Sequence, residues 1–214
     1  DGDVTSGLLR MVHNTRDFDL DPGAGGYESV SLEFGWVDAT RFISVVNGET
    51  SSLEEIPFDG TYTKGAMDVR RYFSRGGRKT SPQDKRTTIA VRLRGGIASG
   101  EIPFFEQFFV GGGETLRGYR EDRFWGNNML IASVEYRRPI GDSMTGVAFL
   151  DYGDAWGGDE AYRIDSSLEQ SSSFSGHYGV GLGIRVTTPI GHLRLDYGYG
   201  DEGGRTHFSM GHAF

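Results

Sequence analysis

The chain has 214 residues, a formal net charge of −8, 34 glycines, six prolines and no cysteine. The acidic balance argues against nucleic acid, which calls for a basic surface, and the missing thiols exclude disulfide frameworks and thiolate metal sites. Mean hydropathy is −0.42 and no window of ~18 apolar residues exists, so a transmembrane helix is excluded; the opening DGDVTSG carries no charged-then-apolar leader, so either a leader was removed or the chain is an internal segment.

Alternation with a period of two runs through almost every segment, and no convincing amphipathic helix interrupts it. A first strand is expected near residues 6–14. The acidic run after it, DFDLDPG, spaces Asp17, Asp19 and Asp21 like calcium ligands, but a tight turn explains the same residues. Near 27–37, Val30, Leu32, Phe34 and Trp36 oppose Ser29, Ser31, Glu33 and Gly35. A strand near 61–74 leads into a basic turn with Arg70, Arg71, Arg75, Arg78 and Lys79. Near 87–99, Ile89, Val91, Leu93 and Ile97 oppose Ala90, Arg92 and Arg94. Near 128–138, Leu130, Ala132, Val134 and Tyr136 form the apolar face, which sends Ile131, Ser133, Glu135 and Arg137 to the other. Near 145–156, Ala148, Leu150 and Tyr152 oppose Val147, Phe149 and Asp151. Near 176–187, Tyr178, Val180, Leu182, Ile184 and Val186 oppose a face rich in glycine. Near 191–199, Leu193, Leu195, Tyr197 and Tyr199 oppose His192, Arg194, Asp196 and Gly198. A last strand is expected at 207–214, with Phe208, Met210, His212 and Phe214 on one face.

These are about nine strands of roughly 8–14 residues. Short turns fall at 140–143 and 188–191, whereas longer polar segments fall at 37–60, 100–127 and 154–175. Short turns at one end and long loops at the other describe an all-β, antiparallel transmembrane β-barrel. A soluble sandwich also alternates, but its solvated face favours β-branched and long polar residues rather than glycine. A lumen that receives an inserted loop tolerates glycine, because a close backbone approach needs it. Trp36, Tyr72, Tyr152, Trp156, Tyr197 and Tyr199 suit interfacial girdles. The ending on Phe214 reads as a C-terminal sorting strand presented to an assembly machine by strand addition.

The segment FFVGGGETLRGYRED holds the densest chemistry: Gly111, Gly112, Gly113, Leu116, Arg117, Gly118 and Tyr119. A phosphate-binding loop would need a following helix and a Gly-Lys-Ser/Thr ending, and neither is present. Taken alone, Arg117 reads as a solvated loop arginine. The five histidines show no ligand spacing, and Asp151 with Asp154 has no nucleophile or base beside it by motif. No catalytic residue, metal site or cofactor is expected.

FFEQFFVGGGETLRGYRED, then NNMLIASVEYRRPI, GVAFLDYGDAW, GVGLGIRVTTPIGHLRLDYGYG and FSMGHAF, together resemble the outer-membrane assembly-pore superfamily, most closely its BamA and TamA types (the bacterial surface-antigen family). HNTRDFDLDPGAGGYESVSLEFG resembles a strand, periplasmic turn and strand of the same family, and 37–60 matches least. The resemblance implies a barrel of roughly sixteen antiparallel strands, of which residues 1–214 would supply the C-terminal nine, with POTRA domains upstream. It implies a non-enzymatic pore in a Gram-negative-type outer membrane that inserts barrel proteins or translocates polypeptides. Its partners would be the lipid bilayer, unfolded outer-membrane or secreted clients, and periplasmic or inner-membrane accessory proteins, with no nucleic acid. It also implies that the loop folds into the lumen and that Arg117 reaches acidic wall residues; Glu135 and Asp151 match these by motif and alternation. Two other functions remain open at this point: a barrel that anchors or exports a fused N-terminal enzyme domain such as a patatin-like lipase, and a passive pore.

Overall fold

A computed structural model describes residues 2–44, 53–81, 84–158, 169–188, 191–211 and 214. Its strands are β1 (Gly2–Asn14), β2 (Gly25–Ser44), β3 (Leu53–Ser74), β4 (Thr88–Gly100), β5 (Phe108–Val110), β6 (Phe124–Gly126), β7 (Asn128–Pro139), β8 (Met144–Trp156), β9 (Glu169–Gln170), β10 (His177–Thr188), β11 (Gly191–Gly200) and β12 (Gly203–Met210). Nine of them form one antiparallel sheet in the order β1-β2-β3-β4-β7-β8-β10-β11-β12. The remaining β5, β6 and β9 form a small second sheet on the connection between β4 and β7 and beyond β8. Among the described residues β1 and β12 do not pair with each other, so the large sheet is open.

Register sets the two faces. Val134 pairs with Leu150 and Ala132 with Tyr152 on one face, while Glu135 pairs with Phe149 and Ser133 with Asp151 on the other. Side chains alternate strictly across a strand, so this pairing sorts the apolar set outward and the charged set inward. Val30, Phe34, Ile97, Leu150, Leu182 and Phe208 all lie exposed on the outer face. Glu135, Asp151 and Asp196 on the inner face have no exposed surface. The sheet is thus inverted relative to a water-soluble domain. An apolar band of this extent is far larger than the few hundred Å² that soluble monomers expose, and it fits hydrocarbon.

Three expectations change. The segment 37–60 is not a loop: β2 and β3 stay paired from Val37↔Gly60 to Ser44↔Leu53. Its apolar residues fall side by side (Phe42 with Ile43, Ile56 to Phe58) rather than alternately, so the period-two pattern did not reveal it. The last strand starts earlier, after a turn at Asp201–Glu202, and ends at Met210. Phe208 and Met210 do face outward, but Gly211 takes φ +103 and Phe214 lies off the strand, buried with Tyr72 and Ala90. The Arg92 and Arg137 guanidinium groups sit 5.9 and 5.4 Å from its ring, and Arg137 donates to its main-chain oxygen at 2.8 Å. Left-handed backbone at Gly211 breaks the alternation that would have kept Phe214 beside Phe208. His212 lies outside the described residues. Finally, Tyr72 turns inward, 2% exposed, rather than joining an interfacial girdle, because it has the opposite parity to the outward Phe73 and Met67.

Candidate functional site, a loop clasped inside the barrel

The connection between β4 and β7 folds back against the inner wall. Its stem is the β5–β6 hairpin, with Phe108 opposite Gly126. Trp125 is fully buried, with Phe104 edge-on at 5.0 Å. On the β3 side, Lys64 Nζ donates to the Glu106 carbonyl at 2.5 Å and stands 5.0 Å from the Phe108 ring.

The tip carries Arg117, 2% exposed. Nε and Nη2 donate to the two oxygens of Asp151 at 2.7 and 2.8 Å, a bidentate fork. Nη1 donates to Glu135 Oε1 at 2.6 Å and approaches Asp196 Oδ2 at 3.5 Å. The Arg117 main-chain N–H adds a bond to Asp151 at 3.2 Å. The guanidinium carbon lies over Phe149, 3.5 Å from its ring centroid, where the ring's negative face favours a cation. A planar cation with a spread of donors is the side chain suited to three carboxylates from three directions.

Each carboxylate is differently supported. Glu135 also accepts from Arg137 at 2.8 Å and Arg185 at 3.4 Å. Asp196 accepts from Arg194 at 3.0 Å and from Arg185. Arg194 extends the network into the loop, donating to Glu114 at 2.8 Å and to the Gly113 carbonyl. Among the described residues, Arg117 supplies every hydrogen bond that Asp151 accepts. Arg117, Arg137, Arg185 and Arg194 thus face Glu135, Asp151, Asp196 and Glu114, and the charges balance. Glu114 is exposed, but without such pairing burial of the other seven would cost several kcal/mol each.

Backbone fit completes the clasp. Gly118 takes φ +101, a region open to glycine. On the wall, a Cβ at Gly179 would fall 1.8 Å from the Arg117 carbonyl, and one at Gly198 would fall 2.6 Å from the Gly118 nitrogen. The glycine face of β10 and β11 is therefore a seat for the loop backbone. Gly111 and Gly112 also have positive φ, but Gly113 does not; its part is the carbonyl that Arg194 holds. Leu116 and Tyr119 are buried beside it. The Tyr119 hydroxyl donates to Asp201 at 3.0 Å, and burial together with that carboxylate pushes the phenol up to about 12.

The structure thus brings Arg117 together with Glu135 and Asp151. Asp196, Arg185, Arg194, Arg137, Lys64 and Phe149 escaped the sequence reading. The alternation put Asp196 and Arg194 on the inner face, yet strand pairing between β8, β10 and β11 was needed to bring them to Arg117. The acidic turn takes a different role: Asp17 accepts N–H groups from Gly23 and Lys79 at 2.8 Å each, and Lys79 Nζ binds Asp21 at 2.6 Å. Asp19 pairs with Arg16 at 2.8 Å. The β1–β2 turn is therefore cross-linked to the basic β3–β4 turn.

A model of the Omp85 superfamily domain matches residues 2–214. Outer envelope protein 80 of Arabidopsis thaliana is 37% identical over 121 residues, covering 56% of this chain and 16% of that protein. The outer membrane protein assembly factor BamA of Nitratidesulfovibrio vulgaris is 32% identical over 150 residues, covering 58% of this chain and 18% of that protein. The chain spans under a third of the length of these relatives. In fold, it is similar to the crystal structure of BamA from Haemophilus ducreyi lacking POTRA domains 1–3, with a TM-score of 0.55 at 15% identity, over 98% of this chain and 53% of that one.

Proposed function

Because this chain belongs to the Omp85 superfamily, we propose that it forms part of an outer-membrane pore that inserts β-barrel clients or passes polypeptides across the membrane. The proposal includes further strands and POTRA modules outside residues 1–214, a lipid bilayer around the apolar face, unfolded clients, and periplasmic or inner-membrane accessory proteins. The open sheet supports the first part, since an unpaired strand edge in hydrocarbon leaves backbone groups unsatisfied. The supporting relatives are named as an assembly factor and as proteins of a chloroplast outer envelope. The bacterial outer membrane is the membrane we propose here.

The observation that carries the reading is the loop itself. A passive channel has no use for a fully paired arginine that fixes a loop against the inner wall, whereas a pore that must stay shut between clients does. No chemical step is assigned. In the complete protein, expressed while the native copy is depleted, Arg117→Ala is expected to lower assembly of client barrels while the variant still reaches the membrane. Wild-type client levels with this variant would sink the functional role of the clasp.

A further inference from the structure

His177 opens β10 at the end of the sheet where the loop enters. Its ring stacks on Phe124 of β6, with centroids 4.0 Å apart and planes 12° apart, and it meets Tyr119 edge-on at 5.9 Å. Nε2 lies 3.1 Å from Ser175 Oγ and 3.9 Å from Asp154 Oδ1, and Nδ1 lies 3.7 Å from Asp201 Oδ2. Asp154 is fully buried, and among the described residues its Oδ1 has no hydrogen-bond partner. A buried carboxylate oxygen left bare costs free energy.

The proton inventory decides what this cluster does. Ser175 Oγ donates to Asp154 Oδ2 at 2.9 Å, so it offers His177 a lone pair. Every polar atom facing the ring is therefore an acceptor. A neutral imidazole has one N–H and can satisfy one side; the imidazolium has two and satisfies both. The same accounting disfavours a shared metal ion, because the two carboxylates lie against opposite nitrogens. The other charged groups nearby are Arg123, 5.3 Å from the Phe124 ring and paired with Glu202, and Tyr119, whose hydroxyl is bonded to Asp201. Arg123 and Glu202 offset one another, so the field at His177 is set by two carboxylates.

We propose that His177 is a proton-operated latch on the inward loop. The imidazolium draws in Asp154 of β8 and Asp201 of the β11–β12 turn, and it stacks more strongly on Phe124 through the ring's negative face. That ties the Tyr119–Phe124 arm of the loop to the wall at a second point, in addition to the Arg117 clasp. The neutral ring lets go of one carboxylate and frees that arm.

The test uses the complete protein in lipid nanodiscs. Amide hydrogen exchange over Asp122–Phe124, clear of Gly118 and Glu121, which His207 contacts, is corrected for intrinsic rates and compared at about pH 5.5 and about pH 8, the range over which histidine titrates. Protection is expected to be greater at the lower pH, where the imidazolium supplies both N–H groups. His177→Gln should abolish the difference, and Asp201→Asn, on an exposed turn, should reduce it while leaving the barrel folded. Equal protection at both pH values in the wild type, or a difference that survives in His177→Gln, overturns the proposal. A barrel too damaged by His177→Gln leaves Asp201→Asn to decide: an unchanged difference there overturns it equally. The readout is loop protection, so loss of client assembly as a function would leave this result standing.

Discussion

Removing the Arg117 side chain should injure one carboxylate above all. Glu135 keeps Arg137 and Arg185, and Asp196 keeps Arg185 and Arg194. Asp151 loses both arms of its fork and retains at most the Arg117 main-chain N–H. A fully buried carboxylate stripped of its partner costs about 3–5 kcal/mol. The cost of Arg117→Ala should therefore be about that size, and Asp151→Asn should relieve most of it in the double variant, because a neutral amide has no charge to compensate. Glu135→Gln in the same background should relieve little, since Glu135 was never orphaned and its loss exposes Arg137. The assay is a double-mutant cycle on the complete protein refolded into vesicles, read by urea titration. Equal rescue by Asp151→Asn and Glu135→Gln, or rescue by neither, refutes the assignment of the penalty to Asp151.

Further expectations follow from other parts of the fold. Gly179→Ala and Gly198→Ala should push the loop from its seat and raise protease cleavage after Arg120 and Arg123; Gly7→Ala, with nothing within 4 Å of the new Cβ, should leave it unchanged. Leu182, 68% exposed in the middle of β10, faces hydrocarbon, so Leu182→Arg should destabilise the vesicle-embedded barrel by ~2–4 kcal/mol; a neutral result would contradict the outward apolar face. At the β1–β2 turn, burial pushes the Asp17 carboxyl up, but N–H groups from Lys79, Gly23, Ala24 and Phe18 outweigh it, and the net displacement is downward. A depressed carboxyl contributes stability that is present above its unfolded pKa and lost as pH falls through the folded one. Exchange protection of Gly23 and Lys79 amides should thus fall in acid below about pH 4, and Asp17→Asn should remove that dependence.

Phe108–Asp122 shows how far the chain could be read unaided. Its glycines and lone arginine are compatible with a phosphate loop, a solvated loop or a lumen insert. The strand alternation on either side excluded the first, because no helix follows. Glu135 and Asp151 were legible as partners because both fall at inward parity on neighbouring strands, so a local rule reaches them.

Strand parity is a property of adjacent residues, and it determined the all-β class, the nine large strands and which side of each meets lipid. Wherever an apolar face has to be kept toward hydrocarbon, a slip of one residue would put charge there, so the pattern is written strongly into the sequence. Where the alternation lapses, the writing stops: the β2–β3 hairpin continues past Val37 without a period of two, and Gly211 takes left-handed backbone before the inward Phe214 without any apolar signal. Tertiary structure alone decided that Asp196, 79 positions from Arg117, completes its shell. It alone decided that Gly179 and Gly198 are the seat for the loop backbone, and that Ser175, Asp154 and Asp201 surround His177. Those contacts join segments through the curvature of the sheet, and curvature is set by the pairing of all the strands together rather than by any stretch of residues that can be read one at a time.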